Sequence, residues 1–223
     1  MVTDNSSMEA ARASALGRGI RLEILTIAWM LIEACVALGA GIVARSVLLT
    51  AFGIDSIVEL LSGIVLFRLL TGRSGETAAT RISAVLLVLL CVYVFLFSIA
   101  GLLFRIEPES SLAGIAVSAI AVVAMPVLAQ RKRRVNAVLQ SPALRADIAE
   151  SISCGYLAAM TLFGLLVSTL TGLWWIQYLA ALGLLAWLLP EAREALLESS
   201  SDSAVATRAA PGPDLPRERG GEE

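Results

Sequence analysis

Two acids interrupt an otherwise apolar run. Residues 47–62 read Val-Leu-Leu-Thr-Ala-Phe-Gly-Ile-Asp-Ser-Ile-Val-Glu-Leu-Leu-Ser, with Asp55 and Glu59 four positions apart. In a helix that spacing puts both on one face. A second polar set, Asp147, Glu150, Ser151 and Cys154, recurs at i, i+3, i+4 and i+7 in a later apolar run, which makes a single stripe along a helix. Each acid placed inside a bilayer costs roughly 2.5 to 3.5 kcal/mol even on the mild insertion scale, and like charges at close quarters add repulsion. A doubly charged guest offsets both terms. If the two stripes face one another, Asp55, Glu59, Glu150 and Cys154 form a four-ligand cage for one divalent cation.

Other polar residues flank this set. Asp147 has two readings: a group behind the ligands that relays protons, or a wet acid in the first turn of its helix, where the helix dipole favours negative charge. Ser151 lies between the acids and Cys154 and reads as a supporting group. Cys154 taken alone would be a small buried apolar residue, and its case as a ligand rests on sharing a face with Glu150. Glu33 shares a face of the first apolar run with Thr26 and Trp29. It reads as a proton relay behind the ligands, or as a neutral acid hydrogen-bonded to a neighbouring helix. Counted from the ends of their runs, Asp55 and Cys154 differ in depth by about 9 Å at 1.5 Å per residue, an offset the packing must absorb.

The elements that position these groups are long. Hydrophobic residues make up 57% of the 223, charged residues 16%, and mean hydropathy is +0.81, well beyond what one soluble core hides. Six runs, Arg21 to Ala44, Val47 to Leu70, Arg81 to Phe104, Ser111 to Ala129, Leu144 to Leu170 and Leu173 to about Leu197, each approach the roughly 20 helical residues that a bilayer core needs. None alternates as a barrel strand does. The expected fold is therefore an all-α membrane protein, a six-transmembrane-helix bundle over 21–198. Residues 1–20 form a cytoplasmic N-terminal segment without a secretory leader, and 199–223, rich in Ser, Ala, Pro, Gly, Arg and Glu, form a disordered cytoplasmic tail.

Arginine and lysine set the orientation. They gather before the first run, between the second and third, and at Arg131-Lys132-Arg133-Arg134 between the fourth and fifth, so the positive-inside rule places both termini in the cytoplasm. The run 131–134 reads as a topology signal. Trp174, Trp175 and Tyr178 suit an outer aromatic belt, and Gly39, Gly41, Gly63, Gly114 and Gly183 allow close helix approach. Net charge is −2 and histidine is absent, so no nucleic-acid surface is indicated and ion chemistry falls to carboxylates and thiolate. Cys35, Cys91 and Cys154 show no paired spacing. No nucleophile with an evident base appears, so the chain does not read as an enzyme. Sixteen arginines against one lysine point to a GC-rich bacterium and its plasma membrane.

At Ser46-Val-Leu-Leu-Thr-Ala-Phe-Gly-Ile-Asp55-Ser-Ile-Val-Glu59 and Leu144-Arg-Ala-Asp147-Ile-Ala-Glu150-Ser-Ile-Ser-Cys154 the chain resembles the cation diffusion facilitator family of metal exporters. The resemblance covers the whole membrane region. It implies six helices with cytoplasmic termini, a homodimer, and a transport site built from paired positions four apart in the second and fifth helices, here Asp55, Glu59, Glu150 and Cys154. Glu and Cys stand where that family favours Asp and His. The family's cytoplasmic dimerisation domain has no counterpart, because about 25 residues after the last run are too few for an independent fold.

The expected function is secondary active export of a divalent transition-metal cation, zinc first, with cobalt, iron or cadmium as other candidates, by proton antiport. No prosthetic group is implied; the metal is cargo, and the bilayer is the other partner. The rival from another class is a non-transporting membrane subunit or scaffold that retains a relic metal site.

Overall fold

The structure is a computed structural model that describes residues 2–72 and 76–209. It holds six helices and, among the described residues, no strands: α1 (Val2–Val43), α2 (Val47–Leu70), α3 (Glu76–Leu103), α4 (Leu112–Leu139), α5 (Pro142–Thr171) and α6 (Trp175–Ala209). All six are long and apolar enough to cross a membrane.

The side chains are sorted as lipid-facing helices require. Along α1 the inward stripe is Glu23, Thr26, Met30, Glu33, Ala34 and Ala37, while Ile24, Leu25, Leu31 and Ile32 are exposed. Polar groups thus turn in and large apolar groups turn out. In water that pattern would be unstable, because burying a polar group costs free energy and exposing an apolar one gains none. In hydrocarbon the outer face costs nothing.

Helix α1 packs along α2, α4 along α5, and α3 along α6, with further contacts between α1 and α4, α2 and α3, α2 and α5, and α5 and α6. Helices α1, α2, α4 and α5 therefore enclose a common interior, and the α3/α6 pair closes its flank. One core runs through most of the bundle around Met30, Leu48, Phe52, Met125, Cys154 and Leu184. A smaller one, Leu66, Ala129, Val135, Leu144 and Ile148, sits towards the α4–α5 turn. That end also carries Arg68, Arg131, Arg133, Arg134 and Arg145, flanking the α2–α3 or α4–α5 connections, with Arg18 and Arg21 of α1 beside Arg131 and Arg134, and is called the basic end below.

Helix ends are fixed by local chemistry. Ser46, Ser111 and Ser141 cap α2, α4 and α5, their hydroxyls accepting from the backbone N–H of Leu49, Gly114 and Leu144, the usual satisfaction of orphan donors at a helix start. Gln140, at φ 52°, ends α4 in a left-handed conformation, and Pro142 begins α5 with its fixed φ.

Four boundaries, among them the start of α3 at Glu76 rather than Arg81, differ from the sequence expectation by five residues or more for one reason: a helix does not stop where hydrophobicity stops. Helix α1 begins at Val2 rather than Arg21, because Ala, Arg, Glu and Met over 8–16 are good helix formers. Helix α4 continues ten residues past Ala129 to Leu139, so Arg131 to Arg134 lie on a helix and not in a connection. Helix α6 passes Ser199 and ends at Ala209, two residues before Pro211, so the first part of the expected disordered tail is helical. Residues 210–223 lie outside the described residues.

Tyr178 corrects the aromatic belt. It is 1% exposed, and its hydroxyl donates to the Ile106 carbonyl at 2.6 Å, tying α6 to the α3–α4 connection. Of the five glycines, Gly41, Gly63 and Gly114 lie against a neighbouring helix, whereas Gly39 has open space.

Candidate metal centre

The interior of α1, α2, α4 and α5 is polar in layers. Farthest from the basic end, Ser46 donates to Gln177 Oε1 at 2.7 Å and Gln177 Nε2 donates to Ser168 Oγ at 3.1 Å, which joins the start of α2 to α6 and α5.

The middle layer holds the groups singled out in the sequence. Glu33 stands at its centre, fully buried. Its Oε2 accepts from Trp29 Nε1 at 2.6 Å, its Oε1 accepts from Ser56 Oγ at 2.7 Å, and Cys154 Sγ lies 3.6 Å from the same oxygen. One carboxyl thus ties α1 to α2 and α5. Glu59 is 3% exposed, and its carboxyl is hydrogen-bonded by the Cys154 thiol. The charges bearing on it are those of Glu150, Asp55 and Glu33, all negative, and the Cys154 thiol stands beside it. Asp55 is buried at 8% exposure; Glu150, one turn from Cys154 on α5, is half-buried.

The depth offset between α2 and α5 is absorbed by stagger. A Cβ on Gly164 would collide with the Leu48 side chain, so the second residue of α2 is level with Gly164 rather than with the last residue of α5. From Gly164 back to Cys154 is ten positions, and from Leu48 on to Glu59 is eleven. Glu59 and Cys154 therefore meet at one level. Helix α5 overshoots α2 by two turns, and a glycine at the crossing permits it.

Of the four expected ligands, two are in contact. Glu59 and Cys154 adjoin, with Glu33 against Cys154, and the acids Asp55 and Glu150 act on Glu59. Among the described residues no three His, Cys, Asp or Glu side chains stand together closely enough to hold one metal ion. Ser151 is fully buried on α5 with no hydrogen-bond partner for its hydroxyl, between this layer and the next.

The third layer lies towards the basic end. Lys132 Nζ is 3.1 Å from Glu23 Oε2 and 2.6 Å from Asp147 Oδ2, and the three residues are 1%, 0% and 3% exposed. Asp147 is thus neither a wet helix-start acid nor a neighbour of Cys154; it is the anchor of a buried ion triad linking α1, α4 and α5. Within the run 131–134 the three arginines are exposed and the lysine turns inward, so the tetrapeptide is not uniformly a surface signal. Glu23, Lys132 and Ser56 are the residues that sequence reasoning passed over. The available signal was identity: Lys132 is the chain's only lysine among sixteen arginines.

A scan against protein-family models finds no match for this chain, and a search of the curated proteins finds none either.

Proposed function

We propose that this chain crosses the membrane six times, with both termini in the cytoplasm, and exports a divalent transition-metal cation, zinc first, in exchange for protons. The observation that carries the reading is Glu59. It is a carboxyl group buried at 3% exposure, with the Cys154 thiol against it and the acids Glu150, Asp55 and Glu33 around it. Acids gathered in a buried site repel one another when ionised, and a divalent cation would offset that repulsion.

In the mechanism that follows, the ion enters between Glu59 and Cys154 and draws in Asp55 and Glu150 from the flanks. Cys154 must lose its proton to bind a metal. Glu33, whose Oε1 already faces Sγ, receives it. Glu33 is held in place by Trp29 and Ser56, so its geometry persists through the cycle. Protons arriving from outside reverse the exchange, because metal and proton compete for the same oxygen and sulfur atoms. Sulfur among the donors favours zinc and cadmium over magnesium or manganese. The resemblance to cation diffusion facilitators supports the same reading through the acid pair of α2 and the Glu150/Cys154 pair of α5. The alternation of basic connections supports the orientation.

The rival reading, a scaffold with a relic site, draws on the absence, among the described residues, of any three acid or cysteine side chains close enough to hold one ion. Purified protein in liposomes separates the two. Zinc flux that depends on a pH gradient and is abolished by Glu59→Gln is the expected result; wild-type protein that moves no zinc, cadmium or cobalt under either gradient direction sinks the transport reading.

A further inference from the structure

We propose that the groove between α1 and α4 at the basic end binds the phosphodiester headgroup of an anionic phospholipid, with Arg18, Arg21, Arg131 and Arg134 as its cationic walls. The inference needs the chain to cross a bilayer and does not depend on the transport reading.

Three observations carry it. The groove has a volume of about 450 Å³ and is lined by the four arginines, all exposed, over Leu22 and the buried Val135. Arg18 and Arg21 are three positions apart on α1, as are Arg131 and Arg134 on α4, so each helix contributes a pair on one face. A guanidinium offers paired N–H donors that match the oxygens of a phosphate. Secondly, no carboxylate of either helix neutralises these charges. Over residues 10–43 of α1 the acids are Glu23 and Glu33, and α4 has none. Both are fully buried, Glu23 against Lys132 and Glu33 against Trp29 and Ser56. Among the described residues the ion pairs run through Lys132 alone. Four like charges around one groove repel one another, and a bound anion offsets that repulsion.

Thirdly, each arginine pair heads a strip of exposed apolar side chains. On α1 the face of Arg18 and Arg21 continues through Leu25 at 53% exposure and Ile32 at 55%; on α4 the face of Arg134 and Arg131 continues through Val127 at 43% and Val123 at 65%. Both strips run away from the basic end. A phosphate that carries acyl chains meets the arginines and the strips together, whereas a soluble phosphoester meets the arginines alone. In the orientation proposed above the groove lies at the cytoplasmic leaflet, where basic pockets between membrane helices attract anionic headgroups. A topology signal asks only for positive charge in a connecting segment, not for two pairs converging on one groove. Arg133 and Arg145 show the difference: they carry equal charge at the same end but line another groove, beside Asn136 and Ile148 on α4 and α5.

Spin-labelled phosphatidylglycerol and phosphatidylcholine, each diluted into phosphatidylcholine nanodiscs that hold the purified full chain, test the inference through the motionally restricted part of their resonance spectra. Wild type is expected to hold phosphatidylglycerol roughly tenfold more tightly than phosphatidylcholine. Arg21→Gln combined with Arg134→Gln is expected to reduce that preference to about twofold or less. Arg133→Gln combined with Arg145→Gln, which removes equal charge from the same end, is expected to keep it. All four side chains are exposed, so the substitutions leave the core intact, and nanodiscs have no inside, so a changed direction of insertion cannot imitate the loss. No preference in wild type, or equal loss in the two double variants, overturns the site. Displacement of the labelled lipid by an equal concentration of soluble glycerophosphoglycerol overturns the lipid as ligand. A wild-type preference in a protein that moves no zinc leaves this site standing while the transport reading falls.

Discussion

Glu33 Oε1 is shared by two helices: it accepts the Ser56 hydroxyl of α2 at 2.7 Å and lies 3.6 Å from the Cys154 sulfur of α5. A carboxylate so held sets the direction of the thiol and stands ready to take its proton. Replacing it by the isosteric amide keeps the Ser56 contact and removes the proton acceptor. Glu33→Gln is expected to weaken zinc binding roughly 10- to 100-fold, the usual cost of losing a group that orients a metal ligand. Zinc titration by calorimetry checks it; unchanged affinity would leave Glu33 a purely structural tie.

Cys154 decides softness. Cys154→Asp is expected to lower affinity for cadmium and zinc relative to manganese, since a thiolate is exchanged for a hard oxygen donor. Competition titrations with the three ions against the wild type read the ratio, and an unaltered ratio would mean that sulfur is not a ligand.

Glu59 sets function against stability. A buried carboxyl whose hydrogen-bonding capacity is only partly met costs about 1 to 3 kcal/mol, and the partner of Glu59 is a thiol, a weak donor. Glu59→Leu is expected to raise resistance to unfolding by about that amount while abolishing metal binding. Unfolding of the detergent-solubilised chain by sodium dodecyl sulfate measures the first effect and zinc titration the second. A destabilised Glu59→Leu would show that the contact with Cys154 outweighs the cost of burying the carboxyl.

The ion triad works in the opposite direction. Lys132→Met removes the only cation from between Glu23 and Asp147, and breaking a buried pair this way costs about 3 to 5 kcal/mol. Replacing all three by apolar residues is expected to restore or exceed wild-type stability. The same unfolding assay compares the variants, and a single variant as stable as the triple one would contradict the ion pairing.

The crossing of α2 and α5 depends on having no side chain at residue 164. Gly164→Val drives a branched side chain into Leu48, with an expected cost of about 1 to 3 kcal/mol from overpacking. Because the crossing also sets Glu59 level with Cys154, zinc affinity should fall together with stability. A loss of stability without a change in affinity would uncouple the stagger from the site.

Much of this protein was legible in the order of its residues. Long uninterrupted apolar runs dictate helices, since no other element satisfies its own backbone in hydrocarbon, and the spacing of Asp55 with Glu59 and of Asp147 with Cys154 fixes which side chains share a helix face. Helix ends were less legible: Arg131 to Arg134 end a hydrophobic run but not a helix, because propensity and hydrophobicity are different properties. What a face meets was not legible at all. Asp147 and Cys154 lie on the same stripe, yet one meets Lys132 and the other meets Glu33 and Glu59, seven residues away along α5. Glu33 became central, and Lys132 turned from a surface charge into a buried one, through the stagger and rotation of α1, α4 and α5 about each other. Those quantities come from contacts between segments remote in the chain, such as Leu48 against Gly164, and so periodicity within a single helix carries no record of them.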